Sequence, residues 1–410
     1  MPRARVIGGG VAGLVAAREL AERGWQVTLH EASDRLGGTI HAIAVPDGLG
    51  GEVLLDVGAE SFATRQGTVA ALLDELGLAS RIVAPSPRSA WLSGPAGDLP
   101  LPATGVLGIP QSVLSRDVRR VIGLRGVLRA LGDAVVPLGE VSGDETVDSL
   151  VRRRVGARVA DRLVAPIAEG VYSRSPDQLR VREVLPELLT QGCTRSLRAA
   201  VRRIRENRPA GAAVAGLDGG IIVLVQSLEA RLRELGVQIR LEDAREAGEP
   251  GEPGDDLVVD ARPGPAASRT TVVTLVLDAP ELDAAPRGTG VLVTRSGGDV
   301  PRALTHSSAK WPWLAARLAP HRHAVRVSYD GHRADDAALR GRALADASRL
   351  LGIDLASREP VASHVAHWSQ SERVTPPDSD AVLRLGAAVA GSGLARVIAH
   401  ARTAVASRAG

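Results

Sequence analysis

The sequence predicts an α/β fold: a Rossmann-like nucleotide-binding unit at the N-terminus, a mainly helical stretch after it, and a strand-rich stretch beyond. Three observations carry this. Gly8-Gly9-Gly10-Val11-Ala12-Gly13 fits G-x-G-x-x-G between an apolar run and an Ala- and Leu-rich one. Apolar residues at helical spacing dominate residues 103–205, and runs of β-branched residues recur after residue 257.

Ala4 to Ile7 reads as a short buried strand, and the glycines that follow have separate jobs. Gly8 allows the tight turn, Gly10 lets a pyrophosphate approach the backbone, and Gly13 lets helix and strand pack closely. Leu14 to Arg23 reads as the helix, with Gly24 as its stop. Its N-terminus offers free N–H groups and a positive dipole end to an anion. Trp25 to Leu29 is the second strand, and Glu31 closes it 18 residues after Gly13. An acid there accepts hydrogen bonds from ribose hydroxyls and repels a 2′-phosphate.

Val69 to Leu78 reads as a helix. Val113, Leu114, Val118, Val121, Val127 and Leu128 mark a later helical stretch. Ser142-Gly143-Asp144-Glu145 fits a capping box ahead of Val147, Leu150, Val151 and Val155 at helical spacing. Val272 to Leu277, Val291 to Val293 and Val325 to Ser328 read as strands, so residues 268–345 carry a sheet. The Gly- and Pro-rich stretch 247–254 is a loop, because Leu257 to Ala261 resumes a strand. No internal repeat is found.

The 410 residues leave room for two or three domains. With 44% apolar and 24% charged residues, the balance is that of a soluble globular protein. A net charge of +3 makes no case for nucleic acid. Lys310 is the single lysine, Phe62 the single phenylalanine and Met1 the single methionine, a bias that GC-rich codon usage produces. Cys193 stands alone, which excludes an intrachain disulfide and a Cys-based metal site and fits a reducing cytoplasm. His364-Val365-Ala366-His367 has metal-like spacing if helical, but no third ligand is in view, so no metal is expected. No run of about 18 apolar residues occurs, so no spanning helix is expected. No apolar signal segment precedes Val6.

Glu31-Ala32-Ser33-Asp34-Arg35-Leu36-Gly37-Gly38 resembles the extended segment of FAD-dependent amine oxidases, where the Arg and the paired Gly meet the diphosphate again. Further runs resemble a narrower family, the oxygen-dependent protoporphyrinogen and coproporphyrinogen oxidases. They are Asp56-Val57-Gly58-Ala59-Glu60-Ser61-Phe62, Leu99-Pro100-Leu101-Pro102, Gly108-Ile109-Pro110, Leu163 to Tyr172 with Asp177-Gln178-Leu179, Gly216 to Gly220, Ser307-Ser308-Ala309-Lys310-Trp311-Pro312, and Gly386 to Leu394 with Ile398, Ala399, Ala401 and Arg402. They lie in the family's order along nearly the whole chain.

The resemblance implies a discontinuous FAD-binding domain of residues 1–80, 206–267 and 360–410. A helical insertion of residues 103–205 and a β-rich substrate domain of residues 81–102 and 268–359 interrupt it. Motif and resemblance together place FAD on Gly8, Gly9, Gly10, Val11, Ala12, Gly13, Glu31, Ala32, Arg35, Gly37, Gly38, Gly58, Ala59, Glu60, Ser61, Ala244, Trp368, Ser392, Gly393 and Leu394. The flavin is expected in a cleft between domains.

The family reaction removes six electrons from a porphyrinogen in three steps, through the flavin to O₂, with hydrogen peroxide released. The cofactor carries the hard chemistry, so no acid–base dyad is required. Candidate catalytic residues are Glu60, Arg65, Tyr172 and Lys310. Arg65 and Lys310 suit the four propionates of coproporphyrinogen; a solvated or structural charge is the plainer role for each. Tyr172 either lines the pocket or packs, and Glu60 either sits by the flavin or makes a structural salt bridge. The GC-rich bias points to an actinobacterium-like source and favours coproporphyrinogen III over protoporphyrinogen IX. A ferrochelatase is the expected recipient of product. Arg116, Arg119, Arg120, Arg125 and Arg129 form either a basic face for peripheral membrane contact or one solvated face.

One departure matters. Trp368 stands only 25 residues before Gly393, and Ser369 to Leu385 lacks the Leu-Pro-Gln-Tyr element and helix that the family places there. It motivates one other reading, a shortened, weakly active homologue that binds FAD or a tetrapyrrole; another amine-oxidase-like flavoenzyme such as a desaturase is a further alternative, against which Gly170-Val171-Tyr172 and Lys310-Trp311-Pro312 argue.

Overall fold

The computed structural model describes residues 1–64, 67–102, 105–135, 138–172, 174–190, 196–206, 214–246, 255–294, 300–331, 335–355, 357–374 and 382–408, with the backbone alone at 171 and 172. Cys193, Arg65, the loop 247–254 and part of the 369–385 interval lie outside the described residues, as does the side chain of Tyr172.

From β1 (Arg3–Ile7) the chain passes through α1 (Val11–Glu22) to β2 (Gln26–His30). The hairpin β3 (Ala42–Pro46) and β4 (Glu52–Asp56) follows, then α2 (Thr68–Glu75) and a second hairpin, β5 (Trp91–Gly94) and β6 (Gly97–Pro100). Helices α3 (Arg116–Leu131), α4 (Val147–Arg154), α5 (Ala165–Tyr172), α6 (Val181–Val184) and α7 (Leu197–Glu206) come next. After them stand α8 (Ile222–Glu234), β7 (Gln238–Arg240), β8 (Leu257–Asp260), β9 (Ala266–Asp278), β10 (Gly290–Val293), β11 (Ala303–His306) and β12 (Arg322–Asp330). The chain ends with α9 (Asp336–Leu351), β13 (Ala362–Ser371), β14 (Val382–Arg384) and α10 (Leu394–Arg408).

Two sheets organise these elements. One is parallel throughout, in the order β7-β2-β1-β8-β14, so the nucleotide-binding domain is assembled from separated parts of the chain. Leu14, Val15 and Leu20 of α1, Leu224 and Leu228 of α8, and Ile398 and Val405 of α10 share its apolar core. The other sheet runs β13-β9-β12-β11-β10-β5-β6. Val273, Leu275, Val325, Val327 and Val365 pack on Leu339, Ala343 and Leu350 of α9, which covers one face. The helical insertion has a core of its own around Ile122, Leu150, Leu163 and Val201.

Four expectations meet a different outcome. The first helix starts at Val11, not Leu14, because the last glycine-loop residues already form its first turn behind Gly10 as N-cap. The capping box at Ser142 to Glu145 is displaced: Thr146 is the N-cap of α4, its Oγ1 accepting from Ser149 N–H at 3.2 Å. Ser142 Oγ instead accepts from Asp144 N–H in the preceding turn. In α3, Gly123 adopts φ 68°, which breaks the helical register; Val118, Val121 and Val127 are buried, whereas Leu114 before the helix and Leu128 beyond the break are exposed. The boundary expected at residue 360 falls before β13, yet β13 pairs along β9 from Ala362 to Ser371 and so belongs to the seven-stranded sheet. His364 and His367 therefore stand on opposite faces of a strand, not on one face of a helix.

Candidate functional site

Each glycine of the N-terminal loop shows its reason sterically. A Cβ on Gly13 would lie 1.9 Å from Gly8 O, so α1 packs on β1 more closely than any side chain allows. Gly8, at φ 105°, has Ala261 C and O 2.9 Å from where its Cβ would be. At Gly10 nothing stands within 4 Å. That open space lies before the first turn of α1, where the N–H groups of Val11, Ala12 and Gly13 have no helical partner. A diphosphate fits this cradle.

Arg35 to Gly38 lines the same space. Gly37 N–H donates to Gly9 O at 2.9 Å, and a Cβ on Gly38 would come 3.3 Å from Gly10 Cα. The Arg35 guanidinium donates to Gly38 O at 3.1 Å, holding that turn. Glu31 Oε2 accepts from Gly9 N–H at 2.6 Å, and its Oε1 accepts from Ser33 N–H and Oγ at 2.9 and 2.7 Å. A carboxylate has about four acceptor sites, so capacity remains for ribose hydroxyls. Ala32 is exposed beside it. Asp243 N–H donates to Glu31 O at 2.9 Å, which brings Ala244 to the same sheet edge. The C-terminal glycines approach this loop: a Cβ on Gly386 would be 3.8 Å from Ala12 Cβ. Gly391 and Gly393 take φ 85° and 109° around exposed Ser392, and α10 starts at Leu394.

Glu60 is the centre of a second cluster. Arg326 Nη1 donates to Glu60 Oε2 at 2.9 Å, Ser307 Oγ donates to the same atom at 3.3 Å, and Lys310 Nζ pairs with Oε1. Arg326 Nη2 also donates to Val57 O and Gly58 O, at 3.2 and 2.6 Å. Trp368 Nε1 donates to Val57 O at 3.3 Å. Gly58 must be glycine, since a Cβ would lie 2.0 Å from Thr39 O, and Ala59 N–H donates to that oxygen at 3.2 Å. The seven-stranded sheet thus grips the Val57–Glu60 segment, and Ser61 follows it half-buried. Lys310, read from the sequence as a propionate partner or a solvated or structural charge, pairs with Glu60.

The electrostatics follow from burial and pairing. Burial alone would raise the Glu60 carboxyl, but Lys310 and then Arg326 hold it down to about 2. Asp56 goes the other way: burial pushes it up to about 7, against the N–H groups of Ile221 and Ile222 that it accepts and the charge of Arg326. A carboxyl raised in the folded state stabilises fully below its ordinary value of 3.8, and that contribution is lost as pH rises through about 7. Asp56→Asn is therefore expected to flatten the fall in thermal midpoint between about pH 4 and pH 7; an unchanged slope in melts across that range would assign it to other groups.

The sheet face turned away from α9 carries two rows. Thr305, Arg326, Thr274 and His364 lie side by side across β11, β12, β9 and β13. Beside them run Leu292, Ala303, Ser328, Val272 and Ala366, a floor of mostly small side chains. A Cβ on Gly170 would come 2.5 Å from Leu292 Cδ2, so α5 covers this floor at β10. Past that edge is a cavity of about 330 Å³ lined by Ala90, Leu101, Pro102, Leu107, Leu163 and Ile167. Leu163 belongs to a π-helical stretch, Ala160–Val164.

Sequence reasoning missed Arg326, Asp56 and a histidine pair. His306 Nε2 meets His323 Nδ1 at 3.1 Å, and His323 Nε2 meets Asp283 at 2.9 Å. Burial first, then His323 and Arg88, lowers His306 to about 3. The one available signal was a charge or imidazole inside an apolar strand, as in Val325-Arg326-Val327.

The chain matches the flavin containing amine oxidoreductase family over residues 11–245. It is 32% identical over 338 residues to coproporphyrinogen III oxidase of Mycobacterium tuberculosis, covering 75% of this chain and 73% of that protein. To coproporphyrinogen III oxidase of Bacillus subtilis it is 24% identical over 415 residues, covering 89% and 86%. A candidate protoporphyrinogen oxidase from Exiguobacterium sp. 255-15 has the same fold, with TM-score 0.81 at 23% identity over 100% of this chain and 98% of that one. Reduced UDP-galactopyranose mutase follows at TM-score 0.67 and 14% identity, over 99% and 95%. These likenesses agree with the expected architecture of a Rossmann-like domain with a helical insertion and a β-rich part.

Proposed function

The chain belongs to the flavin containing amine oxidoreductase family, and from that premise we propose that it oxidises coproporphyrinogen III to coproporphyrin III with FAD and O₂. The flavin cofactor follows from the family; FAD in particular is supported by the Gly10 cradle, the acid at Glu31 and the glycine turn at Gly391 to Gly393. When bound, FAD would supply two-electron redox chemistry, and removal of six electrons and six protons from a porphyrinogen reduces three O₂ to three hydrogen peroxide.

The observation that carries the substrate class is the floor across the seven-stranded sheet. Five strands at about 4.8 Å spacing make it roughly 19 Å wide, room for a flat tetrapyrrole. Val272, Ala303, Ser328 and Ala366 keep it level, and α5 closes one edge. The chain's own residues position and exclude: Arg326 and Trp368 hold the Val57 carbonyl and Lys310 the Glu60 carboxylate at its end. With Lys310 engaged by Glu60, Arg65 is the proposed partner of a propionate. No helix among the described residues is long and apolar enough to cross a membrane; a cytoplasmic site and product hand-over to a ferrochelatase are part of the same proposal.

Coproporphyrinogen III is expected to be oxidised faster than protoporphyrinogen IX, with peroxide released. Initial rates on both substrates by porphyrin fluorescence decide it; a preference for protoporphyrinogen IX overturns the substrate and keeps the family. The short interval from Trp368 to Gly393 favours a second reading, a weakly active homologue. Stoichiometric FAD with turnover about a hundredfold below that of a full-length relative would support it.

A further inference from the structure

Two arginines stand near the two ends of the short interval, Arg373 just after β13 and Arg396 in the first turn of α10, and one residue of the helical insertion holds both. Glu183, on α6, accepts from Arg373 Nη1 at Oε1, 2.9 Å away. Its Oε2 accepts from Arg174 Nη1 at 3.2 Å, and its main-chain oxygen accepts from Arg396 Nη2. The carboxylate is only 11% exposed, though Arg373 is 56% exposed. Three parts of the protein therefore meet at one residue. Arg174 follows α5, Arg373 leaves the seven-stranded sheet, and Arg396 belongs to the helix behind the Gly391–Leu394 turn. Val374 N–H donates to Ala388 O at 2.8 Å, so the strand end held by Glu183 is also tied to the segment leading into that turn.

We propose that Glu183 is a positioning residue for the cofactor: it fixes the Gly391–Leu394 turn and the start of α10 by stapling both flanks of the short interval to the helical insertion. The proposal rests on the reading that this turn meets the flavin. It assigns to one residue, its carboxylate on Arg373 and its main-chain oxygen on Arg396, the bracing that the missing element would otherwise give. Ion pairs this exposed at one end add little to folding stability, whereas small displacements of a binding group act strongly on what it binds. Loss of Glu183 should therefore separate cofactor binding from stability.

The test uses the full-length protein and its Glu183→Gln, Glu183→Asp and Arg373→Gln variants, with Asp148→Asn, which breaks an exposed pair with Arg152 on α4, as control. FAD affinity is measured by titrating apoprotein, and the setting of the bound flavin by its visible circular dichroism. Glu183→Gln breaks the ion pairs to Arg373 and Arg174 and leaves the main-chain oxygen on Arg396; it is expected to weaken FAD binding roughly tenfold and to change the flavin dichroism. The apoprotein should melt where the wild type does. Arg373→Gln should shift both readouts less, Glu183→Asp should recover part of the loss, and Asp148→Asn should change neither. Wild-type affinity and dichroism in Glu183→Gln would overturn the proposal, as would a loss matched by an equal fall in the apoprotein's melting midpoint. Failure to oxidise any porphyrinogen would leave it standing, since neither readout involves substrate; a folded wild type that binds no FAD would sink it together with the flavin reading.

Discussion

Gly10→Val is expected to give a folded protein that no longer holds FAD. Gly10 has φ −70° and ψ 173°, extended backbone open to any residue, and no protein atom lies within 4 Å of its Cβ direction. A Cβ there meets neither strain nor a clash within the chain. It does fill the space before the first turn of α1, and a diphosphate pushed outward loses its bonds to the backbone N–H groups. Hydrogen bonds to a charged group are worth about 1.5–3 kcal/mol each. Loss of two removes about 3–6 kcal/mol, or roughly 10²–10⁴ in affinity. Flavin absorbance per protein should drop to background while far-ultraviolet dichroism stays native. Gly13→Ala is the contrast: its Cβ would strike Gly8 O, so it should weaken the fold before it touches the ligand. Full FAD occupancy in a folded Gly10→Val protein would show that this loop does not hold the diphosphate.

The glycine loop was legible because its spacing between a strand and a helix is local, as with Gly13, whose Cβ would meet Gly8 O, whereas the contact that requires glycine at position 8 comes from Ala261, far along the chain. Strands such as β9 and β12 were legible from apolar runs, but their rows were not, since register across a sheet is long-range. Nothing local to Val325-Arg326-Val327 says that the guanidinium faces Glu60, which is 266 residues away. Gly123 misled in the other direction: apolar spacing on both sides of it looked like one helical face, and a single left-handed glycine turned Leu128 outward. The capping box failed because Ser142 found a nearer donor in its own turn, and Thr146 was free to cap the helix instead. Glu183 was invisible for a further reason. Its partners come from three segments, and only the fold brings them together.

Arg326→Met is expected to be the most destabilising single change at the candidate site. Arg326 is buried in β12 and serves three acceptors at once: Glu60, Val57 O and Gly58 O. Methionine keeps much of the apolar stem and removes every donor. Gly58 O then loses this donor, Val57 O keeps only Trp368, and Glu60 keeps Lys310 and Ser307. Breaking a buried pair from one side costs about 3–5 kcal/mol, because the remaining charge stays in a poor solvent. Arg326→Lys should recover only part, since one ammonium cannot reach all three acceptors. The acid limb gives a second sign. Glu60 stabilises the fold fully above its ordinary value of 4.5, and that contribution is lost as pH falls toward about 2. Without Arg326 its carboxyl rises, so the wild-type loss of stability between about pH 4.5 and pH 2 should become shallower. Arg326→Met with Glu60→Gln should be less destabilising than Arg326→Met alone, because no unpaired charge remains. Thermal midpoints of the wild type, Arg326→Met, Glu60→Gln and the double variant at neutral pH and at about pH 3 test this directly. A double variant as unstable as the sum of its parts would mean that the two side chains act separately and that the loss in Arg326→Met comes from its bonds to Val57 O and Gly58 O.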